Sequence, residues 1–174
     1  QRLQEHALST RGAERFEIDP EASRVWITGR STLHPIRASG RGVTGWVELA
    51  GRGGEREIDG EMHIEVARLR SGNPLLDREA HRRLDHGNHP EIVGSVVGSR
   101  RRTEDVFDVH GEVTFLGHVG PATGSVVAAV DSGTVSVEGS ETFDVRDWGF
   151  EVPRLGPLRV SPVVEVRIAL VGRR

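Results

Sequence analysis

The chain has no cysteine and no tyrosine, and all 23 of its basic residues are arginine, so it has no lysine either. Without cysteine there is no disulfide, no thiolate nucleophile and no cysteine-ligated zinc site. Without lysine or tyrosine there is no Schiff base, no phosphate-loop lysine and no phenolic acid. Aromatic residues are few, five Phe and three Trp in 174 residues, so any core must be mainly aliphatic. No apolar run approaches the ~20 residues of a membrane-spanning helix. An excess of one charge is missing too. The formal net charge is -3 at pH 7, with acids and arginines interleaved, which argues against nucleic acid or an anionic bilayer as the main partner. The triple Arg100–Arg102 runs into Thr103, Glu104 and Asp105 and reads as a solvated turn. With no export segment in the sequence, a cytoplasmic location is the expectation, a removed export signal being the alternative.

What is present reads as one domain of short strands, large enough to bury roughly 70% of its unfolded surface. The spacing predicts a single helix within Ser71–Pro90, covering Pro74 to His86. Asn73 can cap it, Pro74 suits its first turn, and Gly87 offers a left-handed stop. Leu76, Ala80 and Leu84 recur at i, i+4, i+8 with Leu75 beside them, giving a narrow apolar stripe that must cover something. Residues 1–15 read as a polar tail and 16–174 as the domain.

Strand alternation is clear in Phe16–Asp19 and in Ser23–Leu33, where Val25, Ile27 and Gly29 share one face and Arg24, Trp26, Thr28 and Arg30 the other. It returns in Val43–Leu49 and, after the turn Gly51–Gly54, in Met62–Val66. Beyond the helix it continues in Glu91–Val97, Val106–Leu116, Gly124–Val130, Thr134–Val145 and Arg159–Val171, with turns at Asp131–Gly133 and Pro153–Pro157. In Val106–Leu116 the apolar face is Phe107, Val109, Gly111, Val113 and Phe115. About eight strands and one helix at this spacing predict a mainly β protein, an antiparallel barrel or sandwich with the helix as a lid. Glycines at 29, 45 and 111 fall on apolar faces, where they either leave room for a ligand or mark bends.

The chemistry-bearing residues form no catalytic pattern. His81 and His86 are five apart, about 140° around a helix, and so do not share a face as an i, i+4 ligand pair does. His110 and His118 lie on one strand side but roughly 27 Å apart, and His34 precedes a proline in a loop. No serine sits in a G-x-S-x-G elbow. Asp77 with Arg78, and Asp144 with Arg146 and Asp147, read as ion pairs joining lid to barrel. Alternatively Arg78 or Arg146 faces the mouth and holds a ligand's carboxylate, phosphate or carbonyl.

The order ERFEIDPEASRVWITGRSTLHPIRASG, NPLLDREAHRRLDHGNHPEIVGSV, VHGEVTFLGHV, FDVRDWGF and a terminal strand resembles the YceI-like family, the polyisoprenoid-binding, lipocalin-like barrels. Asp77, Arg78, Leu84 and Pro90 fill the places of its helical motif. Gly111, Thr114 and Gly117 look like its G-x-L-T-x-x-G strand, and Arg146–Phe150 like its late Arg-Asp-Phe-Gly turn. His118 and Val119 depart from the threonine usual after that last strand glycine. The resemblance implies an extended antiparallel eight-stranded β-barrel with one inserted helix as a lid, an interior that holds a long apolar chain, and often a homodimer. The expected function is therefore non-enzymatic carriage of an isoprenoid or other lipid, without cofactor or metal. Ile27, Leu76, Leu84, Phe107, Val109, Val113 and Phe115 are expected as wall, Arg78 and Arg146 as polar anchors, and Trp148 at the rim. The competing readings are a small-molecule isomerase, cyclase or hydrolase on the same barrel, and a ligandless interaction module.

Overall fold

The computed structural model describes residues 12–51, 55–152 and 154–174, which form eleven strands, one α-helix and two short 3₁₀ turns. Most of the expected tail (1–11), most of the Gly51–Gly54 turn (52–54) and Pro153 lie outside the described residues. The strands are β1 (Glu14–Ile18), β2 (Arg24–Ser31), β3 (Ile36–Arg41), β4 (Thr44–Ala50), β5 (Glu57–Glu65), β6 (Glu91–Arg101), β7 (Val106–Phe115), β8 (His118–Asp131), β9 (Thr134–Asp144), β10 (Arg154–Leu155) and β11 (Leu158–Arg173), with helix α1 (Pro74–Arg83) between β5 and β6. The 3₁₀ turns are Val66–Arg68 and Val145–Trp148.

Eight antiparallel strands close on themselves in the order β1-β4-β5-β6-β7-β8-β9-β11 and back to β1. The seam is short, with Glu17 opposite Arg173 and Ile18 opposite Gly172. The rest of that edge of β11 pairs with β2, which extends the sheet to β3. Strand β3 is an addition to the sequence reading: His34, Pro35 and Arg37 interrupt the apolar alternation just where the hairpin turns. Strand β8 begins at His118 rather than Gly124; Pro121 within it masks the strand pattern of that first half.

Helix α1 starts as expected. Asn73 Oδ1 accepts from the backbone N–H of Leu75 at 3.1 Å and of Leu76 at 3.2 Å, and Pro74 takes the first turn. It ends sooner than expected, at Arg83. The left-handed residue after it is Asp85 (φ 48°) and not Gly87. The Asp85 carbonyl accepts from Asn88 N at 3.0 Å and His89 N at 2.8 Å, and a short polar side chain tolerates that conformation.

The inward faces divide by height. At one end Phe16, Val25, Leu49, Phe107, Val135 and Leu170 form a solid apolar plug. Higher up, β5 to β9 place Gly60, Gly94, Gly111, Gly124 and Gly139 on the interior. Missing side chains on five adjacent strands leave the barrel hollow above its plug. Some of these glycines are also points of close backbone approach: a Cβ would fall 2.7 Å from the Ser95 carbonyl oxygen at Gly111 and 2.9 Å from that of Trp46 at Gly60, and Gly45, at φ 130°, is tighter still against the Glu61 carbonyl.

Candidate functional site

Above the plug lies a cavity of about 420 Å³, within the ~300–1,000 Å³ typical of small-molecule sites. Ile27, Val109, Val113, Val164 and Val166 form much of its aliphatic wall. Helix α1 roofs it with Leu76, Ala80 and Leu84. Leu76 and Leu84 are buried there, while Leu75, one residue round the helix, is 65% exposed. The roof is anchored to the chain before it. Asp77 Oδ1 accepts from Ser71 N at 2.9 Å and Ser71 Oγ at 2.7 Å, and His81 Nε2 contacts the Leu69 carbonyl at 2.8 Å.

One side of the wall parts. Strand β8 pairs with β9 only from Val126 opposite Gly139 downward to the hairpin. Nearer the mouth β8 pairs only with β7, and β9 only with β11. The turn Val145–Trp148 packs into this gap against β8 and β11. Trp148 is 5% exposed and donates its indole N–H to the Val113 carbonyl at 3.0 Å. Its ring meets Phe143 edge-on, 5.9 Å between centroids, and a Cβ at Gly120 would fall 2.8 Å from that ring. Beside it Phe115 and Phe150 pack with centroids 5.7 Å apart.

The structure brings Ile27, Leu76, Leu84, Val109, Val113, Phe115 and Trp148 together around the cavity. Phe107 lies deeper, within the plug. Neither Arg78 nor Arg146 borders the cavity. Arg78 follows Leu76 by two residues, about 200° around the helix, and is exposed. Arg146 is held outside by Asp144, Nη2 to Oδ2 at 2.7 Å and Nε to Oδ1 at 3.0 Å. That arginine, by side-chain and backbone hydrogen bonds, lowers the Asp144 carboxyl below its ordinary range.

Other displaced groups also stand on the outside. Hydrogen bonds from Arg82 and Arg83 hold the Glu79 carboxyl down at about 2. The Asp19 carboxyl is lowered, chiefly by Arg173 at 3.0 Å. Glu91, then Glu61, raise His63, whose Nδ1 is 2.9 Å and Nε2 2.6 Å from their carboxylates. Among the described residues no group of three or more His, Asp or Glu is arranged to hold a metal ion.

Besides wall residues such as Val164, Val166 and Phe143, sequence reasoning missed an acid on the inner face, Glu141. It pairs with Val166 and shares the inward face of β9 with Gly139 and Phe143. The alternation of Val135, Val137, Gly139 and Phe143 already points to it.

A closed antiparallel barrel with a solid base, a hollow aliphatic upper half and a helical roof is lipocalin-like in architecture. No protein-family model matches the sequence, and no curated protein matches it. Solved structures do match. BcnA of Burkholderia cenocepacia superposes with a TM-score of 0.76 at 15% identity, over 88% of this chain and 98% of that one. A polyisoprenoid binding domain from Saccharophagus degradans gives 0.72 at 11%, over 91% and 97%. The YceI protein of Campylobacter jejuni gives 0.63 at 9%, over 80% and 85%. The fold is that of the YceI-like barrels. No described helix is long and apolar enough to cross a membrane.

Proposed function

We propose that the chain is a non-enzymatic binding protein that carries one apolar or amphiphilic molecule, an isoprenoid or other lipid, inside the barrel. The observation behind this is the hollow itself: about 420 Å³ walled almost wholly by hydrocarbon and roofed by a helix. Transfer of a hydrocarbon chain into such a space is favourable by about 25 cal/mol per Å² removed from water, and no directional chemistry is needed. A structural neighbour named as polyisoprenoid-binding supports the same class of guest. The enzyme reading draws no support from electrostatics, because Asp19, His63, Glu79 and Asp144, the carboxyl and imidazole groups with displaced pKa values, are all off the cavity.

Native mass spectrometry and organic extraction of the purified protein test this. A retained lipid is expected, together with tight binding of the apolar fluorophore N-phenyl-1-naphthylamine. The cavity-filling variant Gly94→Leu provides the control. A Cβ at that position meets only the flexible Met62 side chain, Cε at 3.0 Å and Cγ at 3.4 Å, so the added side chain enters the hollow at modest strain, within ~1–3 kcal/mol. Binding falls about tenfold or more in Gly94→Leu while the fold survives. A wild-type protein that neither retains lipid nor binds the fluorophore overturns the carrier reading.

A further inference from the structure

None of the arginines among the described residues lines the cavity, whereas a carboxylate lies on it. Glu141 occupies mid-height on the inner face of β9, above Val137 and below Phe143, where β8 and β9 separate. Opposite it is Gly124, at which a Cβ would stand 2.7 Å from Glu141 Oε2. The glycine thus leaves the space that the carboxylate fills. Oε1 accepts the backbone N–H of Thr142 at 3.0 Å, which orients the group. Oε2 has no donor among the described residues.

The other titratable groups at the wall are engaged or turned away. Asp77 is taken by Ser71, and His81 Nε2 meets the Leu69 carbonyl. Glu61 lies outward against His63, and Asp59 and Glu112 share the outward parity of their strands. An anionic head drawn into the hollow would therefore meet a like charge with no arginine among the described wall residues to offset it, a repulsion that acts even though Glu141 is itself solvent-exposed at the parting of the strands. A hydroxyl or ammonium would instead donate to Oε2.

From this geometry we propose that the cavity selects guests whose polar end is a neutral or cationic hydrogen-bond donor, an alcohol or amine on an apolar chain, and rejects carboxylate- and phosphate-headed lipids, with Glu141 reading the head. This rests on the carrier reading and narrows it.

The test is displacement of N-phenyl-1-naphthylamine by chain-matched dodecylamine, dodecanol and dodecanoate, each below its micellar concentration, at pH 7.5. Amine and alcohol displace the probe at concentrations roughly 10- to 100-fold lower than the acid, the range for a hydrogen bond to a charged group. The near-isosteric Glu141→Gln narrows the gap between amine and acid, and Glu141→Arg reverses it. An acid that binds the wild type as well as the amine, or an order unchanged in both variants, overturns the proposal while leaving carriage intact. Failure of probe and all three lipids to bind overturns carriage, and the proposal with it.

Discussion

His63 shows how a single residue on the outer wall couples stability to pH. Glu91 and Glu61 flank its ring and raise its pKa above the ordinary 6.5. A raised folded value means that the imidazolium is stabilised in the native state. The contribution is therefore fully present below about pH 6.5 and fades as pH rises through the folded value. His63→Gln is expected to lower the melting temperature at pH 6 and leave it nearly unchanged at pH 8.5. The loss belongs in the ~0.2–1 kcal/mol range of partly exposed pairs. Equal deficits at both pH values, by calorimetry, would show that the ring acts by packing alone. At this scale the sequence was legible wherever alternation decides the face, as for Val109, Val113 and Phe115. It was less so for arginines, whose length lets any of them be imagined at the mouth. The helical angle between Leu76 and Arg78, and the short reach from Arg146 to Asp144, place both outside.

Helix α1 is an element with its own local stability. Its apolar contact is the single stripe Leu76, Ala80 and Leu84, and its first turn hangs on Asn73. Replacing an N-cap asparagine by alanine costs ~1 kcal/mol, and that loss falls on the helix rather than on the strand ladders. Asn73→Ala is expected to speed amide exchange across 75–83 several-fold while β7 and β11 stay as protected as before. Global loss of protection would mean that the roof and the barrel melt together. The helix start was readable because capping is local chemistry. Its stop was not, since Asp85 takes the left-handed conformation that a glycine such as Gly87 adopts more readily. Strand β3 escaped notice for a related reason: its Arg37, Ser39 and Arg41 face outward between small inward residues, Ala38 and Gly40, leaving almost no apolar period to detect.

For the whole molecule, closure is the property on which everything else stands, and its seam is narrow. Strands β1 and β11 meet at two residue pairs, backed by Asp19 N donating to the Val171 carbonyl at 2.7 Å. Gly172 lies at this seam with no room to spare. A Cβ there would fall 2.9 Å from Phe16 Cβ and 2.9 Å from Val135 Cγ1, both in the plug. Gly172→Val is expected to destabilise the barrel by about 1–3 kcal/mol or more, seen as a lower urea midpoint with little change in slope. An unchanged midpoint would show that the seam yields without cost. Charge is also organised at this scale in a way chain order conceals. Strands β2 and β3 carry Arg24, Arg30, Arg37 and Arg41 and no acid, whereas β5 carries Glu57, Asp59, Glu61 and Glu65 and no arginine. Residues interleaved along the sequence become sorted once the barrel closes.

The parting of β8 from β9 leaves two short strand edges without a strand partner, only partly covered by the turn Val145–Trp148, and unpaired edges invite a foreign strand to extend the sheet. Pro121 stands on the β8 side of that opening and has no N–H to offer. An incoming peptide would find its row of partners incomplete, so aggregation through this slot is discouraged by the same residue that hid the strand's first half from view.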